Sequence, residues 1–289
     1  MRLNYDKVEP ILKLALQEDI GSGDRTTEAC IPKNLESTAV ITAKEEGIIC
    51  GLDLISFIFR LRKTAVSIQL LYQDGSTVHK GKIIAIIKGS TREILMTERV
   101  ILNFLQQLSG VATLAHHYQQ AVQHTNVKIL DTRKTIPGMR YLQKYAVKCG
   151  GAENHRRGLY DMVLIKDNHI STAGTISKAV SLCREKNPSQ IKIEVECTSL
   201  QQVKEALATD CDWIMLDNMS VGDMKTALKL INHKKKVEIS GGITLQNLPA
   251  VAKLGTDFIS VGALTHSYHA LDISMDILKP GERNERQDR

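Results

Sequence analysis

Aromatic side chains are scarce in this sequence, which has four Phe and a single Trp in 289 residues. Long apolar runs are missing as well, since no stretch approaches the roughly 18–20 residues that a membrane span needs. The N-terminal segment has an amphipathic helix pattern that Glu9, Lys13 and Glu18 interrupt, so it lacks the continuous apolar core of a signal peptide. These absences indicate an ordinary globular protein without a membrane partner.

The six cysteines are scattered along the chain. None of them forms a CxxC pair, and no histidine lies near them at the spacing of a zinc site. Such a distribution favours neither a disulfide framework nor a zinc-binding module, and it is typical of a reduced cytosolic protein. We therefore expect the protein to be cytoplasmic.

Positive charge is concentrated in one segment. Residues 128–169 hold nine Lys or Arg and four Asp or Glu, so this segment carries +5 of the total net charge of +6. A basic patch of this kind attracts nucleic acid or a small polyanion. Because aromatic residues are few and no RRM, KH or helix-turn-helix signature is present, the sequence favours a small anionic ligand. Nucleic acid is the alternative.

Apolar segments alternate with helical patterns from residue 127 onward, which predicts βαβ units and a parallel sheet. The strand candidates are 127–132, 161–166, 191–197, 212–217, 236–240 and 258–262, and helical patterns include 171–186, 199–209 and 244–254. Ser199 and Thr244 are the expected N-caps of the last two helices. Six strands are too few for a complete eight-stranded barrel, and no GxGxxG follows the first strand as in a dinucleotide-binding fold. The fold class is therefore α/β, with an open (incomplete) α/β barrel.

The N-terminal part has a different pattern. Helical patterns at 6–18, 51–61 and 91–108 accompany strand-like runs at 37–44, 65–72 and 82–88, and a loop is expected at "EDIGSGDRTT". The sequence thus predicts an N-terminal α+β sandwich domain over 1–112 and a barrel domain over 113–270. We expect residues 271–289 to pack back on the first domain, and the final "KPGERNERQDR" to be frayed.

Charged residues follow the strands of the predicted barrel. Catalytic residues of α/β barrels lie at the C-terminal ends of the strands, where the loops converge on one mouth. Four successive strands end in charged groups, at Arg133-Lys134, Lys166, Glu196 and Asp217. One charged strand end is ordinary surface, but four in succession indicate a site.

Small residues follow the last two strands, in "ISGGIT" and "ISVGALTHS". These turns are expected to lead into helix N-termini, whose free N–H groups bind phosphate. The cations near the first strands match carboxylates or phosphates of a ligand, because the guanidinium of Arg is a planar fork. Three roles stay open for Glu196 and Asp217: holding sugar hydroxyls, binding Mg²⁺ through water, or stabilising a positive transition state.

Several motifs then carry a family resemblance over essentially the whole chain. They are "EDIGSGDRTT", "TERVILNFLQQLSGVAT", "DTRKTIPGMRYLQKYAVKCGGAENHRRGLYD", "LIKDNH", "IEVE", "MLDN", "EISGGI" and "ISVGALTHS". In this order the chain resembles the quinolinate phosphoribosyltransferases, also called decarboxylating nicotinate-nucleotide pyrophosphorylases. The resemblance implies a type II phosphoribosyltransferase of de novo NAD biosynthesis. It also implies a homodimer in which the N-terminal domain of one subunit closes the barrel mouth of the other.

The resemblance also implies the role of each matched residue. Lys134, Lys166, Glu196 and Asp217 are the expected catalytic residues, and the expected substrate-binding set is Arg99 (from the partner subunit), Thr132, Arg133, Lys134, Thr135, His155, Arg156, Lys166, Glu196, Asp217, Ser240, Gly241, Gly242, Val261, Gly262 and Ala263. The cations would bind quinolinate and the pyrophosphate of phosphoribosyl pyrophosphate, and the small residues would bind the 5′-phosphate. Mg²⁺ is the expected cofactor, carried by phosphoribosyl pyrophosphate near Glu196 and Asp217 and not held directly by a side chain.

Three other functions remain open on the sequence. The first is another type II phosphoribosyltransferase, either one that uses nicotinate or a relative associated with molybdenum transport. The second is a non-catalytic barrel that senses a phosphorylated metabolite, although it leaves Glu196 and Asp217 unexplained. The third is a nucleic-acid binder that uses the basic segment 128–169, which would bind any duplex in a strongly salt-dependent way.

Overall fold

The structure is a computed structural model and describes residues 3–278. The described chain forms two compact units. The first unit contains residues up to 116, 136–151 and from 268 onward, and the second contains 117–135 and 152–267. The predicted frayed end, 279–289, lies outside the described residues. Within the described part, the structure has no helix with both the length and the apolar character of a membrane span.

The first half of the chain contributes most elements of the first unit. In chain order they are α1 (Tyr5–Ile20), α2 (Arg25–Cys30), β1 (Glu36–Ala43), β2 (Gly47–Ile48), α3 (Asp53–Leu61), β3 (Val66–Leu70), β4 (Thr77–Val78), β5 (Ile83–Ser90) and α4 (Thr91–Ala121). The predicted helices and strands of this region are all present. The expected loop is partly wrong, because the Asp24 carboxylate accepts hydrogen bonds from the backbone of Thr26 and Thr27 and so begins helix α2.

The second half of the chain contributes the remaining elements of both units. They are β6 (Lys128–Leu130), α5 (Arg140–Cys149), β7 (Val163–Ile165), α6 (Asp167–Ala173), α7 (Ile176–Lys186), β8 (Ile193–Cys197), α8 (Leu200–Leu207), β9 (Trp213–Asp217), α9 (Val221–Ile231), β10 (Lys236–Ser240), α10 (Leu248–Ala252), β11 (Phe258–Ser260), α11 (Ala263–His266) and β12 (Ile273–Ile277). Each of the six strands predicted between 127 and 262 is confirmed, within three residues at either end.

The first unit is built on an antiparallel sheet with the order β12-β1-β5-β3. Strand β1 is central: it pairs with β5 on one side and with β12 on the other, where Ala43 lies opposite Ile273. Strand β12 therefore completes a sheet that begins near residue 36. Helix α5 also belongs to this unit, although the sequence placed residues 136–151 in the barrel domain.

The second unit contains a parallel sheet with the order β6-β11-β10-β9-β8-β7. Strands β6 and β7 form its two edges, so the sheet is an open α/β barrel, as the sequence predicts. Side chains alternate between the faces of a strand with a period of two. On one face, residues such as Val195, Leu216 and Ile239 are fully buried. The opposite face carries Glu194, Glu196 and the other polar residues of the site.

The helix caps of the barrel follow the prediction at Ser199 and in part at Thr244. The Ser199 hydroxyl accepts a hydrogen bond from the backbone of Gln202 and caps α8, as expected. Helix α10 begins later than predicted, at Leu248. The Thr244 hydroxyl nevertheless accepts from the backbone N–H of Asn247, whose side-chain oxygen accepts from the Thr244 backbone N–H. Thr244 thus makes the reciprocal bonds of a capping box in the turn that precedes the helix.

Candidate active site

A cavity of about 550 Å³ lies within the second unit, on the polar face of the parallel sheet. Every predicted site residue lines this cavity except Arg99 and Thr135. The strand register explains the convergence, because Ser240 pairs with Asp217 and Glu196 with Met215 on neighbouring parallel strands. The C-terminal ends of parallel strands meet at one edge, so their side chains face a common space.

Two arginines and two lysines line the cavity together: Arg133, Lys134, Arg156 and Lys166. Burial and the nearby charge of Arg133 lower the pKa of the Arg156 guanidinium. Arg156 also donates from Nη1 to the carbonyl oxygen of Met162 at 3.1 Å, which fixes its side chain. The cavity therefore brings positive charges together against their mutual repulsion, as an anion-binding site does.

Glu196 and Asp217 form the strand-end acidic pair of the cavity. The Lys166 ammonium contacts the Oε2 atom of Glu196. Asp217 accepts a hydrogen bond at Oδ2 from the side chain of Asn218, at 2.8 Å. Both carboxylates are only partly buried, and both line the cavity, so they face the space that a ligand would occupy.

A second acidic pair lies two residues earlier on its strands. Glu194 on β8 and Glu238 on β10 are both fully buried. The Nε2 atom of His155 lies 2.9 Å from Glu194 and 3.3 Å from Glu238. Ser260 on β11 donates its hydroxyl to the other oxygen of Glu238. We call Glu194, Glu238, His155 and Ser260 the buried acidic layer.

Burial and mutual repulsion shape the charge of this layer. Burial, followed by the neighbouring charge of Glu238, raises the pKa of Glu194 to about 8. Burial opposes the charged form of His155, yet hydrogen bonds to Glu194 and Glu238 raise its pKa to about 10. The backbone N–H of Arg156 lies 2.7 Å from Nδ1 and also opposes a second ring proton. Two fully buried carboxylates outweigh both effects, so the pKa of His155 is raised.

Glycines keep the wall of the cavity close to the backbone. Gly241 has φ +91°, and a Cβ at that residue would lie 2.2 Å from the side-chain oxygen of Asn218. A Cβ on Gly262 would lie 3.0 Å from His266 and 3.2 Å from Lys134. Only glycine fits at Gly241 without a shift of the neighbouring strand end, so this wall presents main-chain groups to the cavity.

Both glycine turns lead into helices, as expected, but only one does so directly. Gly262 directly precedes the four-residue helix α11. After Gly241 and Gly242 the chain runs through the turn at Thr244, and helix α10 begins six residues beyond the second glycine, at Leu248.

The loop after β6 is held by its own threonines. Thr132 accepts a hydrogen bond from the backbone of Lys134 at 3.0 Å, and the Thr135 backbone donates to the carbonyl oxygen of Arg133 at 2.9 Å. Thr265 donates its hydroxyl to the Lys134 carbonyl oxygen at 2.8 Å. These bonds fix the direction in which Arg133 and Lys134 leave the strand.

Arg99 lies elsewhere in the chain. It is an exposed residue of helix α4, in the part of that helix that belongs to the first unit. The sequence assigned it to the site of a partner subunit. That assignment stays a prediction, because it concerns a second copy of the chain.

Sequence reasoning missed several lining residues, among them Asn218, Glu238 and His266. Asn218 has a positive φ of 53°, which its side chain tolerates well. The signal for Glu238 was available in "KVEIS", where a carboxylate sits inside an apolar strand two residues before Ser240. The same spacing relates Glu194 to Glu196 in "IEVE", and neither buried residue was singled out.

Known protein families account for nearly the whole chain. The model described as quinolinate phosphoribosyl transferase, C-terminal domain, matches residues 111–276, and the model of the N-terminal domain of that family matches residues 24–109. The chain belongs to the quinolinate phosphoribosyl transferase family. The N-terminal model precedes the C-terminal model along the chain, and the boundary between them lies inside helix α4.

Individual members of the quinolinate phosphoribosyl transferase family match over almost their full length. A probable nicotinate-nucleotide pyrophosphorylase (carboxylating) of Bacillus subtilis (strain 168) is 42% identical over 280 residues, which are 97% of this chain and 96% of that protein. A mitochondrial quinolinate phosphoribosyltransferase (decarboxylating) 2b of Nicotiana tabacum is 44% identical and covers 98% of this chain, with 86% of its own length matched. The solved nicotinate-nucleotide pyrophosphorylase of Francisella tularensis is 41% identical, with a TM-score of 0.91 over 96% of this chain and 98% of that one.

Proposed function

We propose that this protein transfers the phosphoribosyl group of phosphoribosyl pyrophosphate to quinolinate and releases CO₂ and pyrophosphate, giving nicotinate mononucleotide. It is an enzyme of de novo NAD biosynthesis. The observation that carries the proposal is the cavity that two arginines and two lysines line together with two strand-end carboxylates. The names of the relatives support the same reaction.

Quinolinate suits this cavity because it is a pyridine with two adjacent carboxylates. Arg133 and Arg156 offer guanidinium forks for the two anions, and Lys134 and Lys166 offer ammonium groups. A rigid strand end fixes these groups before the substrate arrives, which lowers the entropy cost of binding. We assign the wall of Ser240, Gly241, Gly242, Val261, Gly262 and Ala263 to the 5′-phosphate of the second substrate.

The reaction requires two bonds to form and two to break. The pyridine nitrogen attacks C1 of the ribose, and the bond from C1 to the pyrophosphate oxygen breaks with its electron pair on that oxygen. The bond from C2 to its carboxylate then breaks, CO₂ leaves, and C2 takes up a proton in place of the carboxylate. Glu196 and Asp217 stabilise the positive charge that develops on the ribose in the first step.

Mg²⁺ is the cofactor that we propose, bound to phosphoribosyl pyrophosphate. The residues fit this role, because Glu196 and Asp217 supply carboxylate oxygens, the ligand type that Mg²⁺ prefers, while one oxygen of each is already engaged by Lys166 or Asn218. When bound, the ion would neutralise charge on the departing pyrophosphate. Activity lost on chelation and restored by Mg²⁺ would support this assignment, and full activity in chelator would contradict it.

The decisive test is stoichiometric. The purified protein is incubated with carboxyl-labelled quinolinate, phosphoribosyl pyrophosphate and Mg²⁺, and CO₂ and nicotinate mononucleotide are measured together. We expect one CO₂ for each nucleotide formed. Turnover of nicotinate instead would identify a different type II phosphoribosyltransferase. Binding without turnover would identify a sensor, and salt-dependent binding of any duplex would identify a nucleic-acid binder.

We further propose a homodimer with shared sites, in which Arg99 serves the cavity of the partner subunit. Its exposure on α4 is compatible with this role. In a mixture of Arg99→Ala and Lys166→Ala chains, one hybrid site keeps both residues, so activity should return in part. Stable heterodimers without any recovery would exclude a shared site.

We place the enzyme in the cytoplasm. All six cysteines are free thiols in the structure, as expected in a reducing compartment. Among the relatives, the Nicotiana tabacum protein is named mitochondrial and one from Arabidopsis thaliana chloroplastic. Fractionation of the source cells would decide the location.

A further inference from the structure

The buried acidic layer is larger than a single histidine needs. One carboxylate is enough to orient an imidazole, yet Glu194 and Glu238 both approach the Nε2 atom of His155, at 2.9 and 3.3 Å. Both glutamates are fully buried and the His155 side chain is 7% exposed. Burying two carboxylates costs free energy that packing alone would not repay. Such a cost is expected where a side chain must be held in one orientation for function.

The imidazole of His155 is engaged on both sides. Its Nε2 atom faces Glu194, and its Nδ1 atom accepts from the backbone N–H of Arg156 at 2.7 Å. The His155 backbone N–H in turn donates to Asp131 at 2.9 Å. Sequence reasoning assigned His155 to direct substrate binding, but these contacts commit both ring nitrogens to the protein.

The neighbour that His155 fixes is a residue of the proposed quinolinate site. Arg156 follows it directly, lines the cavity and has its Nη1 atom bound to the Met162 carbonyl oxygen. A chain of contacts therefore leads from the fully buried glutamates, through one imidazole, to the main chain that carries a cavity guanidinium. Ser260 extends the chain by binding Glu238 from the neighbouring strand.

We propose that Glu194 and Glu238 are positioning residues, which fix His155 and through it Arg156, and so set the affinity for the dicarboxylate substrate. The inference rests on the proposed function, since it deepens the role of the same cavity. Glu238 lines the cavity and Glu194 does not, but both glutamates act through His155 in this proposal, and the chemistry on the ribose belongs to Glu196 and Asp217.

Glu194→Gln and Glu238→Gln test the proposal, with exposed Glu185→Gln on helix α7 as a matched control for the loss of one carboxylate. Losing a hydrogen bond to a charged group typically changes affinity about 10- to 100-fold. We expect the KM for quinolinate to rise by about that factor in both variants. The KM for phosphoribosyl pyrophosphate and kcat should change by less than about threefold, and the control should match the wild type. An equal fall of kcat with unchanged KM values would overturn the proposal.

A double-mutant cycle tests whether the glutamates act through the histidine. If they do, Glu194→Gln should have little further effect in a His155→Asn background, because the intermediary is already lost. Additive effects of the two substitutions would overturn the proposal. Thermal melts show which variants are folded. If Glu194→Gln does not fold, the same double-mutant cycle is measured with Glu238→Gln.

Two binding measurements separate this proposal from the proposed function. Benzene-1,2-dicarboxylate carries two adjacent carboxylates but no ring nitrogen that can react, so calorimetry with this probe reports affinity without turnover. We expect the wild-type protein to bind the probe tightly and the Gln variants to bind it at least about tenfold more weakly. That result would support the positioning role even if quinolinate were not turned over. Unchanged probe affinity in an active enzyme would overturn the positioning role alone. A divalent metal that is stoichiometric in the purified wild-type protein and lost in Glu194→Gln would also overturn the positioning role, because the carboxylates would then hold a metal.

Discussion

Two layers of carboxylates on the same sheet face have opposite properties. Glu196 and Asp217, at the strand ends, are partly exposed and face the cavity with a cation or an amide beside them. Glu194 and Glu238 lie two residues earlier, are fully buried, and share one imidazole. Two residues along a strand are only about 7 Å. That short distance separates partly exposed carboxylates from fully buried ones that contact the protein.

The difference teaches how an open barrel separates two tasks. Groups at the strand ends retain water and can exchange partners, so they suit chemistry on a substrate. Groups one step deeper lose water and must be paired, so any change there is felt by the fold. Substitutions in the strand-end pair should therefore affect activity, and those in the buried acidic layer should affect stability and substrate affinity.

The largest expected effect is on the chemical step, in Asp217→Asn. The amide keeps the shape and a hydrogen bond but removes the charge that stabilises the ribose transition state. We expect kcat to fall by about 10²–10³ with little change in the KM for quinolinate. Steady-state kinetics at saturating substrate measure this. An intact kcat with weaker phosphoribosyl pyrophosphate binding would show that the pair positions the ground state instead.

The next effect concerns stability and compares the layers directly. Glu194→Ala removes one partner of a buried ion pair, which should lower the free energy of unfolding by about 3 kcal/mol. Glu196→Ala removes the partner of Lys166, whose side chain is 42% exposed, so solvent screening limits its cost to under about 1 kcal/mol. Denaturant titrations of the two variants give both values. Equal losses would remove the distinction between the layers.

A smaller change is expected from Arg156→Ala, which removes a proposed carboxylate contact present before and during the reaction. The KM for quinolinate should rise about 10- to 100-fold while kcat falls less. Lys192→Ala is a suitable control, because Lys192 forms a surface ion pair with Asp212 outside the cavity. A fall in kcat with unchanged KM would move Arg156 from substrate binding to the transition state.

A further prediction concerns the pH dependence of stability. The folded protein raises the pKa of Glu194 from 4.5 to about 8 and that of His155 from 6.5 to about 10. In both cases the folded state binds protons more tightly than the unfolded state, so the stabilisation is complete at low pH and is lost as pH rises through these values. Unfolding free energies should fall between about pH 5 and pH 10, and more steeply in the wild type than in Glu194→Gln. Parallel pH profiles would show that the buried acidic layer does not titrate in this way.

Much of the barrel was predictable because parallel strands buried on both faces form apolar runs. The strand pattern also located the residues at the strand ends, because their positions follow from where each predicted strand stops. It did not locate Glu238, because a carboxylate inside an apolar strand has no local sign of the partner that neutralises it. That partner, His155, lies on a loop more than 80 residues away in sequence.

Other differences from the prediction have the same origin in tertiary structure. Thr244 and Asn247 bind each other reciprocally, and the turn between them moves the start of α10 to Leu248. Helix α5 follows a barrel strand in sequence, yet its contacts place it in the first unit.

The pairing of β1 with β12 imposes a delay on the completion of the antiparallel sheet during biosynthesis. Ala43 is translated about 230 residues before its strand partner Ile273. At roughly 5–20 residues per second, the nascent chain carries an unpaired edge of β1 for about 10–50 s. Such an edge is a template for pairing with other chains. A ribosome that stalls before β12 therefore leaves a nascent chain prone to aggregation, and chaperones have most to protect during this interval.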